Sequence, residues 1–587
     1  MQTQHLHLRN AVILAIAAAT LTLSGAWAQP VIRGENGVLN ASSYQADIAR
    51  GSWFVIFGSN MGPASISIHT GALPFPTSLS GTSVSVTPAA GGTAIACRLW
   101  YTLAGQIAAL LPSTVAAGDY DVKITYNNQT SGGYRIKIVE RNFGFATATQ
   151  NGSGVPQATN ASLNGGVSLV RFTSGSISFS GRNWPYRPAY PGETLILWGT
   201  GLGADSQSDD TGATSGDQTA AGNIRVLVGG VEITPAFAGR SSGSPGLDQI
   251  NFTMPANVPL GCTVSLQVLA GGRYSNLGTL PVSRSGDSDC QHPYLTQAQL
   301  QSLDGGGTQI IGGFTLVRTT ISLSVPGIGS FETTSESVGG SFSKYTSDQV
   351  AFVGGVSVAQ IGSCYAVRLR GTTQEALQGI VRGAADAGTP LLLNGPNASG
   401  KPVPRGSGNS YNLDLYFSGV AGIGATGSPT LAGGTYTLAG TGGAEIGSFT
   451  SQIPFPAGFD WTNRSGISAI ARNQPLAVRW SGGGTEADAT VNIVGLSGTQ
   501  VGGDSQNPIY ESSLFVCTAP ASVGNFTVPG SVTGYLSPVA AGSTTGLGLL
   551  TVAASNTTKF TAPIVAGGTA PGELGYTWSY SKNLAVQ

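Results

Sequence analysis

A duplication constrains this chain more than any other feature. The segment Ala49-Arg50-Gly51-Ser52-Trp53-Phe54-Val55-Ile56-Phe57-Gly58-Ser59-Asn60-Met61-Gly62 matches Tyr190-Pro191-Gly192-Glu193-Thr194-Leu195-Ile196-Leu197-Trp198-Gly199-Thr200-Gly201-Leu202-Gly203. Each reads turn, glycine, five strand residues, glycine, turn, glycine. Further on, Gly105-Gln106-Ile107 through Leu111-Pro112 matches Asp248-Gln249-Ile250 through Met254-Pro255, and Gly118 matches Gly261, each ahead of a strand. The landmarks keep their order at offsets of 141 to 143 residues. Two units repeating one pattern in this way share a fold.

The repeated pattern is β. Asp121-Val122-Lys123-Ile124-Thr125-Tyr126 alternates polar and apolar, which leaves one face dry. Ile224-Arg225-Val226-Leu227-Val228, then Gly229-Gly230, then Val231-Glu232-Ile233 reads as a hairpin. Short strands between turn signals, in units of about 110–140 residues, point to immunoglobulin-like sandwiches large enough to close their own cores. Composition agrees. With 87 Gly and 31 Pro, about a fifth of the 587 residues oppose helix. A net charge of -1 cannot neutralise a phosphate backbone, so nucleic acid is excluded as a partner. A hydrophobic fraction of 41% excludes charge-driven disorder.

A strand, then Gly-x-Asn-x-Gly, after a glycine-led turn resembles the opening of transcription-factor-type immunoglobulin-like (IPT/TIG) domains. The set Leu39-Asn40-Ala41-Ser42-Ser43-Tyr44, Gly51-Ser52, Phe57-Gly58-Ser59-Asn60-Met61, Gly105-Gln106-Ile107, Gly199-Thr200-Gly201-Leu202-Gly203 and Asp248-Gln249-Ile250-Asn251 resembles more closely a paired-sandwich family. That family is abundant in secreted proteins of Solibacter-like Acidobacteria. The resemblance covers about residues 37–285 and departs in placement, because nearly 300 residues follow. It implies fold and export and carries no chemistry.

The expected organisation is all-β: tandem immunoglobulin-like sandwiches followed by further β-sandwich-type domains. Residues 1–28 read as a signal peptide, with Arg9, an apolar run over 11–23 and the cleavage signal Ala26-Trp27-Ala28, leaving Gln29 first. The sandwiches take 29–145 and 146–288. A small β-rich domain with short helices takes 289–387, its helices expected over 294–303 and 373–386. Segments 388–457 and 458–587 follow as two sandwich segments or one domain. No later stretch is apolar enough to span a membrane, so no transmembrane segment is expected in the mature chain.

Outside the cytoplasm the five cysteines can pair, and an odd number leaves one over. Cys262 opens a strand and Cys290 follows the last strand of the same unit, which favours Cys262–Cys290; Cys290–Cys364 is the alternative. Cys97, in an apolar run, is expected as a buried free thiol. No C-x-x-C offers a redox or zinc motif.

Catalytic strings match without their context. Gly422-Ile423-Gly424-Ala425-Thr426-Gly427 is a G-x-G-x-x-G with no following helix to hold a pyrophosphate. Gly239-Arg240-Ser241-Ser242-Gly243 lacks the helix and histidine base of a nucleophile elbow. Ser341-Phe342-Ser343-Lys344 lacks the companion strings of its enzyme class. Asp205, Asp209, Asp210 and Asp217 share a polar loop but miss the EF-hand spacing, so a solvated loop outweighs a weak Ca²⁺ site. His69 and His292 stand alone. No catalytic residue, cofactor or metal ligand is expected. Aromatic residues are the better lead. Tyr576, Trp578 and Tyr580 occupy one face of a strand and could stack on sugar rings, with a sandwich core as the competing reading. Trp184-Pro185-Tyr186 and Tyr190 form a second cluster, read as interdomain packing. The expected function is a secreted, non-catalytic protein with a surface, adhesion or extracellular structural role, its partners polysaccharide or other surface proteins. A secreted carbohydrate-binding protein is the alternative. An extracellular hydrolase using Asp348, Asp414, Glu445 or Asp460 is a second alternative.

Overall fold

The computed structural model describes residues 28–587 apart from 35, 163–167, 180, 214–215, 326–328, 351–361, 372–382, 421–423, 504–507 and 544–545. The signal-peptide reading thus falls outside the described residues, except for Ala28. The chain is all-β, with 53% of residues in strands and 5% in helices.

In the first sandwich, one sheet is built around Trp53–Ser59, Gln106–Leu110 and Arg98–Leu103. The facing sheet is built around Tyr134–Val139, Gly118–Tyr126 and Thr82–Pro88. Their inner faces close on Phe54, Ile56, Ile107, Val122 and Ile124, all buried. The second sandwich repeats the plan, with Thr194–Thr200 and Asp248–Thr253 central in one sheet and Gly261–Ala270 and Arg225–Val228 in the other. The duplication is structural down to register. Gln106 lies opposite Phe57, and Gln249 lies opposite Trp198. The leading glycines Gly51 and Gly192 both take positive φ, 66° and 87°, a turn conformation that a Cβ would strain. Gly144–Phe145 already pairs with Thr194–Thr200, so the second unit begins just before the expected boundary.

Helix Gln297–Asp304 follows, overlapping the expected 294–303 segment, starting three residues later and ending one residue beyond it. A capping box fixes its start: Gln299 N donates to Thr296 Oγ1 and Thr296 N donates to Gln299 Oε1. At its end Asp304 accepts from Phe172 N and Thr173 N, docking the helix on the second sandwich. The helix expected over 373–386 falls largely outside the described residues.

No boundary divides the rest near 388, and none separates 388–457 from 458–587, which the sequence leaves as two segments or one domain. A ten-stranded sheet joins Gln309–Val325 and Gly329–Tyr345 to Thr490–Gly503, Pro508–Pro520, Gly546–Pro563 and Thr569–Asn583. Gln309–Val325 runs parallel to Thr569–Asn583. A four-stranded sheet of Ala398–Val403, Leu391–Gly395, Gly434–Gly440 and Phe449–Phe455 packs on it. Phe314, Phe342, Phe449, Phe455 and Tyr576 share one core, so this half is one unit. Its edge strand Cys364–Gly371 meets the second sandwich through Gln267. That buried carboxamide donates to Ala366 O at 2.5 Å and accepts from Ala366 N at 3.1 Å, replacing the next strand.

Candidate functional site

The run Trp53-Phe54-Val55-Ile56-Phe57 is apolar at every position. Phe54 and Ile56 enter the core, so alternation turns Trp53, Val55 and Phe57 outward. The outer face is therefore apolar too, and the second sandwich covers much of it. Trp53 N donates to Thr200 Oγ1 at 3.0 Å and its indole N–H to Pro245 O at 2.6 Å. Arg240 donates through Nη1 to Asp248 Oδ1 at 2.6 Å, and through Nη2 to Gly51 O at 2.9 Å and Gly203 O at 3.0 Å. Asp209 accepts from Ser113 N at 2.7 Å and Ser113 Oγ at 2.9 Å, and Asp210 pairs with Arg98. The two sandwiches are bonded, not merely tethered.

What the second sandwich leaves open is a groove of about 560 Å³, lined by Trp53, Phe75, Trp100, Tyr101, Gln150 and Gln157 among others. The Trp53 ring meets Phe75 edge-on at 5.2 Å and lies 5.9 Å from Trp100, tilted 55°. Trp100 is 47% exposed, which leaves part of its ring open to a ligand. Arg98 donates to Phe75 O at 2.9 Å and so positions that loop. Tyr101 accepts from Gln106 Nε2 at 2.7 Å. Burial, with Tyr44 adding, pushes its phenol up to about 12, so it stays protonated. Among the described residues, no Asp, Glu, His, Lys or Arg lines this groove. Flat apolar rings beside neutral amides suit a ligand that is uncharged and amphipathic.

A second cavity of about 740 Å³ lies where both sandwiches meet the C-terminal unit. Asp47 accepts there from Arg273 at 2.9 Å and lies 3.7 Å from Arg368, itself 3.7 Å from Glu511. The loop over residues 41–47 forms part of the wall. Asn40 Oδ1 accepts from Ser42 N and Ser43 N at 2.8 and 3.0 Å. Asn142 Nδ2 donates to Ala46 O and Asp47 O at 3.0 and 2.7 Å. These two buried carboxamides brace a loop in which Tyr44, its N–H on Asn40 O, and Asp47 take φ of 55° and 66°, conformations that cost roughly 1–3 kcal/mol each for residues with a Cβ.

The aromatic strip Tyr576, Trp578 and Tyr580 is not an open platform. It lies on the core side of the ten-stranded sheet, with Tyr576 and Trp578 only 1% and 8% exposed. Phe455 of the four-stranded sheet stacks on Trp578 at 5.7 Å and 19°, and Arg318 lies 4.6 Å from the same ring. Tyr576 donates to Gly483 O and Tyr580 to Phe459 O. The period-two pattern identified one face correctly, and packing of the second sheet made it the dry one. Trp184 and Tyr190 lie under Arg182 and Arg187.

Cys262 and Cys290 are disulfide-bonded, with Cα atoms 5.0 Å apart. Cys290 does not pair with Cys364, which bonds Cys517 on the adjacent strand. Cys97 is free and buried. Arg240, from the elbow-like string, is the interdomain bond itself. Of the G-x-G-x-x-G string, 422 and 423 lie outside the described residues, and Thr426–Gly427 is a strand. Ser341 and Ser343 hydrogen-bond each other, and Lys344 reaches Glu445. Asp217 accepts from Thr219, so Asp209, Asp210 and Asp217 turn to different partners, and Asp205 N donates to Ser113 Oγ. No group of three or more potential metal ligands occurs among the described residues. His69 borders Phe75 at 5.5 Å, and His292 Nδ1 accepts from Tyr294 N and Leu295 N. Asp348 accepts from Asn151 and Thr346, Glu445 from Asp386 N, and Asp414 from Asn412. Asp460 borders a separate groove beside Phe459. The sequence reading missed Trp53, Phe75, Trp100 and Tyr101. The signal for Trp53 was an unbroken apolar run in a repeat whose sheets are antiparallel, since such a run makes both faces apolar.

No family model matches the chain, and no curated protein sequence does. Among solved structures, it is similar to SGBP-B of the Bacteroides ovatus mixed-linkage glucan utilization locus, in complex with a mixed-linkage heptasaccharide, at 10% identity and a TM-score of 0.19. That likeness covers 46% of this chain and 58% of the other, so the chain spans little more than half of it. Domains 5–6 of the S-layer protein SbsC match at 12% identity over 44% of this chain and 100% of theirs, TM-score 0.15. The BSP domain of a biofilm associated protein matches at 10% over 94% and 98%, TM-score 0.12. None of these likenesses carries an argument about what the chain does. No helix among the described residues is long and apolar enough to cross a membrane.

Proposed function

We propose that this chain is a secreted, non-catalytic protein of the cell surface or extracellular matrix that binds a neutral polysaccharide in the groove between its two sandwiches. The reading takes it as a member of the secreted paired-sandwich family that its Asn40–Tyr44 and Asp248–Asn251 segments resemble. The observation that carries it is the half-exposed Trp100 beside Trp53 and Phe75, with Gln150 and Gln157 at hand and no charged side chain among the described lining residues. The rings take the apolar faces of pyranoses, and the amides and the Tyr101 hydroxyl read their edges. A groove without carboxylates or histidine supports binding over bond cleavage.

The test is binding of the full chain to neutral glucans and xylan, against polyuronates, by affinity electrophoresis and calorimetry. Trp100→Ala should weaken the neutral polymers by about tenfold or more, roughly 1.4 kcal/mol, while the melting temperature stays within a few degrees. Unchanged binding in Trp100→Ala, or a preference for polyuronates, removes the reading.

A further inference from the structure

We propose that the groove and the junction cavity are consecutive parts of one path for an extended, linear polysaccharide, which crosses over Tyr44 where the loop over 41–47 packs on the segment 147–153. The inference rests on the carbohydrate reading above and deepens it by assigning the ligand a minimum length.

The same two segments, 41–47 and 147–153, line both spaces. Ser42 and Gln150 face the groove, Asp47 and Asn151 face the cavity, and Tyr44 lines both. A ligand leaving the aromatic groove over Tyr44 therefore enters the junction. Tyr44 is also left-handed, its N–H donating to Asn40 O at 3.0 Å, between Ser43 and Ala46, which the carboxamides of Asn40 and Asn142 bond. A bulky residue fixed in that conformation between two cavities marks a functional position. It stacks on Phe57, rings 6.3 Å apart, so its own ring is held at the crossing.

The cavity chemistry continues that of the groove with more hydrogen-bonding groups. Tyr44, Phe57 and Tyr365 supply ring surface, and Gln45, Asn151 and Gln349 supply carboxamides. Its lining sets Arg33, Arg273 and Arg368 against Asp47, Asp348 and Glu511, and Asp47, Arg273, Arg368 and Glu511 are paired with one another, so it presents planar donors and acceptors whose formal charges cancel. That set fits sugar hydroxyls and does not select an ion. At about 740 and 560 Å³, the two spaces together exceed the ~1,000 Å³ upper range of a small-molecule pocket. The cavity takes walls from the first sandwich (Tyr44), the second (Asn151) and the C-terminal unit (Tyr365), so a long ligand would touch all three.

The experiment is calorimetric titration of the full chain with linear β-1,4-linked gluco- and xylo-oligosaccharides of two to eight units. Affinity should rise about tenfold or more between the shortest and longest members. Gln45→Trp, which fills the cavity, should bring the long oligosaccharides down to the affinity of the short ones and leave the short ones unchanged. Gln45→Ala should weaken the long members alone by about threefold, and serves if the tryptophan variant does not fold. Trp100→Ala should weaken every length. Equal affinity across the series, or long-ligand binding untouched by both Gln45 variants while Trp100→Ala still weakens it, overturns the path and leaves the groove standing. Failure of the unaltered chain to bind any member overturns both.

Discussion

Arg240 and Asp248 face each other on adjacent strands, 2.6 Å apart, and each keeps 1% of its side-chain surface. Arg240 also bonds Gly51 O, so this sealed pair belongs to both sandwiches at once. Arg240→Met should destabilise the chain by about 3–5 kcal/mol, because it leaves a buried carboxylate without its partner. Denaturant unfolding measures the loss. A change below about 1 kcal/mol would show that the pair does not bond the sandwiches in solution.

Trp578 and Trp100 should respond in opposite ways to truncation. Trp578→Ala empties a volume between two sheets and should lower stability by roughly 3–5 kcal/mol. Trp100→Ala removes a half-exposed ring and should alter stability little. A pair of thermal melts decides it.

The two disulfides should differ in worth. Cys364–Cys517 spans 153 residues and Cys262–Cys290 spans 28. On chain entropy alone, removing them should cost about 5 and about 3.5 kcal/mol respectively. Double alanine variants compared by denaturant titration test the order. Cys97, buried with its thiol pushed up to about 12, should ignore a thiol reagent in the native chain and react once on unfolding.

Glu573 should make stability fall with rising pH. Burial lifts its carboxyl from 4.5 to about 7, against the opposing hydrogen bond from Tyr294 and charge of Lys559. The folded state therefore holds the proton more tightly than the unfolded one. The stabilisation is complete below about 4.5 and is lost as pH rises through about 7. His292, held down to about 4 by burial and Lys559, works in the opposite sense as pH falls from 6.5. The clean measurement is thus the difference between Glu573→Gln and the unaltered chain. The variant should gain relative stability between pH 4.5 and 7, by up to about 3 kcal/mol. A difference that stays flat across that window contradicts the buried acid.

The duplication was legible because register leaves a trace in sequence: Gln106 opposite Phe57 and Gln249 opposite Trp198 occupy matched positions in matched strings. The C-terminal half was not, because its sheet pairs Leu316 with Tyr576 in parallel, and nothing local in either strand announces a partner so far along the chain. The site was half legible. Alternation at Tyr576, Trp578 and Tyr580 showed a face but not which face a second sheet would cover. Trp53 advertised an apolar outer surface, whereas Phe75 reaches it from a loop and Trp100 from a bulge two strands away in the same sheet, and no local pattern announces either.

Gln267 hydrogen-bonds both main-chain groups of Ala366, at the outermost strand of the ten-stranded sheet. An uncovered strand of that kind is a template on which another chain can polymerise. One side chain from the neighbouring unit occupies the template at Ala366, so the large sheet is protected from growth there by being folded beside the second sandwich. The C-terminal half expressed alone would lose that terminator, and self-assembly into higher oligomers through the Cys364–Gly371 strand is the fate its architecture otherwise prevents.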